Sequence, residues 1–173
     1  MELRDVIAKR RSTRKYSKRK VGQAKVRRLQ KALQMAPSGG NRQNYQFIFV
    51  TDQEKRQQIA AKAGHQQFLF DAPLIVAAVC KPGAEFNVAI AIDHMILVAT
   101  DEGLGSCWIG WFERGPVRRI LGIPRSQAVP ILVTVGYAAE TPKARPRKPL
   151  AELIATDAYR KSTPKRSGRA KAK

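Results

Sequence analysis

The amino-acid sequence predicts an α+β or α/β sandwich, and three observations carry that reading. Clear strands are separated by helices along the chain. One strand, Leu74 to Cys80, is apolar without a break, which calls for a central place with both faces covered. One helix, Asn87 to about Glu102, carries Val88, Ala91, Ile92, Met95, Ile96 and Ala99 on a wide apolar arc. So apolar a helix in a chain of 173 residues is expected to be covered by a second copy, which favours a homodimer.

Taken in order, residues 2–10 read as a helix with Leu3, Val6 and Ile7 on one face. Gly22 to Ala36 is a stronger helix, with Val26, Leu29, Leu33 and Ala36 at helical spacing and Lys and Arg facing outward. Pro37-Ser38-Gly39-Gly40 stops it. Tyr45 to Thr51 is a strand, and Asp52 opens a polar helix to about Ala63, with Gly64 as its stop. After the apolar strand and the central helix, Gly103-Leu104-Gly105 forms a turn. A short helix near Val117–Leu121 precedes the third strand, Ile131 to Tyr137. Pro142 to Pro149 is a basic, Pro-rich connector, and Leu150–Ala155 a short terminal helix. Residues 1–158 are expected to form one domain and 159–173 a basic, disordered tail.

Composition excludes several classes. No apolar stretch approaches the roughly 20 residues that span a bilayer, and the N-terminus lacks an apolar signal core, so a cytoplasmic protein is expected. Cys80 and Cys107 are too few and too differently placed for a disulfide framework, Cys80 in a strand and Cys107 in a Gly-rich turn. No Cys or His spacing suits a metal, and His65 and His94 are the only imidazoles. The net charge of +20 comes from 33 basic and 13 acidic residues, of which 24 basic ones lie in residues 1–31, 142–149 and 160–173. That imbalance makes nucleic-acid binding the rival reading, because phosphate neutralisation by Lys and Arg drives non-specific affinity.

Four segments carry candidate chemistry. Arg10-Arg11-Ser12-Thr13-Arg14 groups guanidinium forks with compact hydroxyls, a donor set for phosphate or carbonyl oxygens. In Pro37 to Gln43 two glycines let backbone approach a flat ligand, and Asn41 and Gln43 can read ring carbonyls and nitrogens. Gly103 to Phe112 places three glycines, a thiol, Trp108 and Trp111 in one loop that could wall a flat aromatic. Lys143, Arg145, Arg147 and Lys148 form a second candidate phosphate clamp. Taken singly, each also reads as ordinary structure: a solvated basic face, a helix-ending turn, core tryptophans and a solvated linker.

Together, RRSTRKY, APSGGNRQNYQFIFV, DAPLIVAAV, GLGSCWIGWF and ILVTVGYAAETPKARPRKPLAELI follow in an order that resembles the FMN-dependent nitroreductase family over roughly residues 2–155. The resemblance implies a homodimeric α+β three-layer sandwich, a central mixed β-sheet flanked by helices, with FMN at the subunit interface. It implies hydride transfer from NAD(P)H through FMN to a nitroaromatic, quinone or similar acceptor in a ping-pong cycle. By position, Arg10, Ser12 and Arg14 are then donors to the FMN phosphate and pyrimidine edge, with Arg11 in the same motif. Pro37, Ser38 and Gly39 become the partner subunit's strip against the isoalloxazine, with Asn41 and Gln43 beside it. Trp108, Ile109 and Gly110 fall along the ring near its reactive nitrogen, and Arg147 and Lys148, or Arg145, at the phosphate.

The chain departs from that pattern in three places. Asn44 stands where the family has Pro, and Tyr45 follows in place of the common Trp. The Cys80–Asn87 connection is short where larger members cover the substrate pocket. The basic tail has no counterpart, and weak attraction to polyanions is expected of it. The flavin would carry the chemistry, so no catalytic side chain and no metal are expected. The alternatives are a basic nucleic-acid-binding protein and a flavin-binding relative without turnover.

Overall fold

The computed structural model describes residues 1–159. The chain divides into two units, Met1–Lys143 and a second that begins at Ala144. The first holds β1 (Tyr45–Val50), β2 (Leu74–Cys80), β3 (Gly105–Ile109) and β4 (Leu132–Gly136), in the order β1-β2-β4-β3. Its helices are α1 (Leu3–Lys9), α2 (Gln23–Met35), α3 (Gln53–Lys62), α4 (Phe68–Asp71), α5 (Glu85–Asp101) and α6 (Arg114–Leu121).

The three layers follow from the two-residue period of the central strand. Every residue of β2 is buried. Leu74, Val76, Ala78 and Cys80 join a core with Leu29 and Leu33 of α2 and Val88, Ile92 and Met95 of α5. Ile75, Ala77 and Val79 point the other way, into a core with Ile59 of α3, Leu69 of α4 and Val117 of α6. An uninterrupted apolar run is what a strand with helices on both faces requires.

All four strands pair antiparallel, β1 with β2, β2 with β4 and β3 with β4. Among the described residues, the expected mixed character enters only through a parallel bridge, Ser12 with Ser106, at the free edge of β3. Gly105–Ile109 is a strand where a Gly-rich turn was expected, so Cys107 and Trp108 sit in the sheet. Five residues opening on Gly-Ser give too short a period to register as a strand. α4, four residues long, escaped for the same reason.

The long helices match their sequence signals. The Asp52 carboxylate caps α3 by accepting from the Lys55 N–H at 2.8 Å, a cap worth about 1 kcal/mol. α5 buries the six side chains of the expected arc. On α1 only Val6 is buried, and Leu3 and Ile7 are exposed. Among the described residues no helix is long and apolar enough to cross a membrane.

In the second unit, α7 (Leu150–Leu153) leaves Leu150, Leu153 and Ile154 exposed. The expected tail lies outside the described residues except for Tyr159.

Candidate functional site

Residues 12–17 leave α1 in extended form and are stitched to the sheet. The Thr13 N–H donates to Ser106 O at 2.9 Å, and the Ser17 N–H to Tyr137 O at 2.9 Å. Tyr16 is the rivet. Its hydroxyl reaches Thr13 O at 2.9 Å and Thr134 Oγ1 at 2.8 Å, and burial pushes its phenol well above the ordinary tyrosine range. Thr13 is buried against Gly105, where a Cβ would overlap its side chain, so glycine is required at 105 by close approach.

This stitching brings the first and third candidate segments together. Burial pushes the Cys107 thiol up, opposed by the charge of Arg14, by a hydrogen bond with Ser12 and by the charge of Arg10. The Ser12–Ser106 bridge lays the segment that carries Arg10 and Arg14 beside β3, within electrostatic reach of Cys107. Arg11 stands apart: its guanidinium donates to Ala8 O and Arg10 O, at 2.5 and 2.8 Å. Cys107, buried and with its thiol pushed above the ordinary range, is a poor nucleophile.

Along β3, Trp108 is half-buried and faces the α2–α5 side. Ile109 turns into the opposite core, so it offers a ligand its backbone only. Gly110 follows the strand, exposed. Next comes Trp111, 70% exposed and stacked on His65 with ring centroids 4.6 Å apart, while His65 Nε2 lies 3.6 Å from the Glu113 carboxylate.

The second segment lies elsewhere. Gly40, Asn41 and Gln43 are all left-handed, with φ of 57°, 51° and 45°. Two of the three are not glycine, which stores strain of order 1 kcal/mol each. Internal bonds hold the shape: the Gln43 N–H donates to Ser38 Oγ at 3.1 Å, and Gln43 Nε2 to Asn41 Oδ1 at 2.9 Å. Asn87 in the first turn of α5 anchors the loop, accepting from the Gly39 N–H at 3.1 Å and donating to Asn44 Oδ1 at 3.3 Å. Pro37 is exposed at its entrance.

The two clusters therefore sit at opposite ends of α5. The loop is tied to Asn87, and the Arg10–Arg14 strip to β3, which starts just after the helix ends at Asp101. The helix between them is 17 residues long, roughly 25 Å of rise. Arg147 and Lys148 belong to the second unit, as does Arg145.

Sequence reasoning missed Asn87, Thr13 and Tyr16 as anchors. Thr13 stood in plain view inside the arginine motif, but only the strand partner at Gly105 reveals its purpose. Asn87, a polar side chain heading an apolar helix, was the one readable signal.

The donor set fits an anionic, flat heterocyclic ligand: two guanidinium groups and a hydroxyl at one end, exposed backbone at Gly110 and a half-buried indole along it. Comparisons with known proteins give the family. Residues 2–166 match the family model described as "Putative TM nitroreductase". An Archaeoglobus fulgidus protein called "Putative NADH dehydrogenase/NAD(P)H nitroreductase" is 30% identical over 76% of this chain and 83% of its own. The NADPH-flavin oxidoreductase of Vibrio harveyi is 25% identical over 90% of this chain and 73% of its own. The solved FMN-dependent nitroreductase of Clostridium difficile R20291 is 29% identical, with a TM-score of 0.74 over 82% of this chain and 90% of its own.

Proposed function

The chain belongs to the nitroreductase family and is an NAD(P)H-dependent flavin oxidoreductase; from that premise we propose that its FMN sits between two copies of the chain. The observation that carries the proposal is the separation of the two donor clusters along α5. One protomer cannot lay both on one ring, whereas a two-fold dimer brings the loop of each copy to the strip of the other. The outer face of α5 supports such a contact, since Phe86 is 86% exposed and Ile90, one turn on, 39% exposed.

In this arrangement Arg10, Ser12 and Arg14 hold the phosphate and the pyrimidine edge. Trp108 and the backbone at Ile109 and Gly110 line the ring, and Pro37, Ser38, Gly39, Asn41 and Gln43 of the second copy cover its face. Arg11, turned onto its own backbone, is a weaker contributor. Arg147 and Lys148, or Arg145, supply further charge for the phosphate. When bound, FMN supplies the hydride chemistry, from NAD(P)H to a nitroaromatic, quinone or similar acceptor in a ping-pong cycle. The chain supplies binding, orientation and positive charge beside the pyrimidine edge, a division of labour that needs no acid–base dyad. A cytoplasmic location belongs to the same proposal, in keeping with two buried free thiols, Cys80 and Cys107. So does a weak polyanion contact by residues 160–173.

The test is optical. Purified protein is expected to be yellow, to bleach on anaerobic addition of NADH or NADPH, and to recover colour with a nitroaromatic or quinone. Protein that takes up no FMN contradicts the site. Flavin that stays oxidised with both nicotinamides favours the relative without turnover.

A further inference from the structure

The flavin site uses only a small part of the positive charge. Residues 6–51 contain thirteen Lys and Arg and no Asp or Glu. Among the described residues, the ion pairs made by this stretch are Lys15–Glu140 at 3.5 Å, Lys25–Glu102 at 3.7 Å and Arg28–Glu102. Arg19 lies over the Tyr137 ring, 4.1 Å from its centroid. Lys18, Lys20, Arg27 and Lys31 are exposed, and no carboxylate among the described residues pairs with them.

These cations are not scattered. Lys15, Lys18, Lys20 and Arg56 wall a groove of about 580 Å³ at the end of the sheet, with Gln53, Gln57 and one carboxylate, Asp71. Arg56 donates to Ala72 O at 2.6 Å, so its charge is fixed in the wall. α2 begins at Gln23, three residues beyond Lys20, and carries Arg27 and Lys31 one turn apart along its exposed surface. Residues 18–22 lead from the groove, on the α3–α4 side of the sheet, to α2 on the other side, where the helix carries the cations on to Lys31 by roughly 12 Å.

We propose that this groove and the outer face of α2 bind the phosphate backbone of nucleic acid without reading base sequence. A small anion needs the groove alone and leaves the row on α2 without a role; a polymer of phosphates engages both. A protein partner fits poorly, because interface cores are depleted in lysine and enriched in aromatic side chains. Here lysine leads; of the groove's two aromatic residues, Tyr16 is buried in the sheet and Phe70 is half-buried against the α3–α4 core. Neither ring stands free of the core to stack on a base and α2 carries no aromatic residue, so the track's contacts are to backbone, and such contacts position without specifying.

The experiment is fluorescence anisotropy with the full-length, FMN-loaded protein and a labelled mixed-sequence DNA duplex, between 50 and 200 mM NaCl. The quadruple variant Lys18→Gln, Lys20→Gln, Arg27→Gln, Lys31→Gln should reduce the magnitude of the slope of log K against log salt by about 3.6, at roughly 0.9 for each phosphate no longer neutralised. The double variant Lys18→Gln, Lys20→Gln should lower it by about half as much. Flavin content should be unchanged in both, and an unlabelled duplex of different sequence should compete equally well. An unchanged slope overturns the proposal by moving binding to residues 160–173. Displacement by inorganic phosphate beyond its ionic-strength effect overturns it in favour of a small-anion site. Binding to phosphatidylserine vesicles but not to the duplex overturns it as well.

Discussion

The strip Arg10–Arg14 and the loop Pro37–Gln43 carry similar donors and are built in opposite ways. The strip is held by the main-chain bond of its buried Thr13 to Ser106 of β3, and just beyond it Tyr16 is buried with its hydroxyl on Thr134 of β4. The loop hangs from one side chain, Asn87, and is shaped by its own hydrogen bonds and left-handed residues. The first is fastened to the protomer's sheet; the second is presented outward. A site divided between them is assembled from a rigid half and a displayed half. Changes to the rigid half should disturb folding and flavin together, whereas changes to the displayed half should disturb flavin alone.

The largest effect is expected from removing the charged donors themselves. Arg10→Ala with Arg14→Ala removes two charge-assisted hydrogen bonds of about 1.5–3 kcal/mol each, so FMN affinity should fall by a factor of roughly 10² to 10⁴. Fluorescence titration of the apoprotein with FMN reads this directly, and an unchanged Kd would remove the strip from the site.

Gly105→Ala comes next. Its Cβ collides with Thr13, so the strip must lift from β3, lowering the melting temperature and weakening FMN binding together. Thr13→Ala in the same chain should restore part of both. Full stability in the single variant would show that the close approach does not matter.

Tyr16→Phe tests the rivet without touching a donor. Losing hydrogen bonds to Thr13 O and Thr134 Oγ1 should cost about 1–3 kcal/mol in chemical denaturation. The pH dependence has a definite sign. A phenol whose folded pKa is raised contributes its full stability below the unfolded value of 10.0, and that contribution falls as pH rises above it. The gap between wild type and variant should therefore narrow above pH 10, and a constant gap would contradict the assignment.

The smallest effect belongs to the displayed half. Asn87→Ala removes the anchor of the loop and is expected to weaken FMN several-fold, with thermal stability nearly unchanged. A large loss of stability would mean that the loop is part of the protomer's core.

How much of this was legible in the sequence depended on whether a signal was local. β2 and α5 were readable because seven unbroken apolar residues and a helical arc each contain their own evidence. β3 was not, because five residues opening on Gly-Ser become a strand only when β4 lies alongside. Arg10, Ser12 and Arg14 were legible as donors, but their convergence on Cys107 depends on a bridge between Ser12 and Ser106, far apart in the chain. Ile109 turns its side chain into the core and leaves only its backbone for a ligand, since strand alternation decides which of two neighbours faces out. Asn41 and Gln43 looked like free readers of a ring, while in the protomer they are bonded to each other.

The central claim is that each flavin site draws its strip from one chain and its loop from another. Complementation tests it most directly. Two variants, one Arg10→Ala with Arg14→Ala and the other Ser38→Ala with Asn41→Ala and Gln43→Ala, are purified separately, mixed, and allowed to exchange subunits. A heterodimer then holds one site with every change and one with none, so random exchange should restore FMN binding to about a quarter of all sites. Recovery near that fraction is the predicted result; mixtures that bind no more FMN than the separate variants, despite verified exchange, would contradict it.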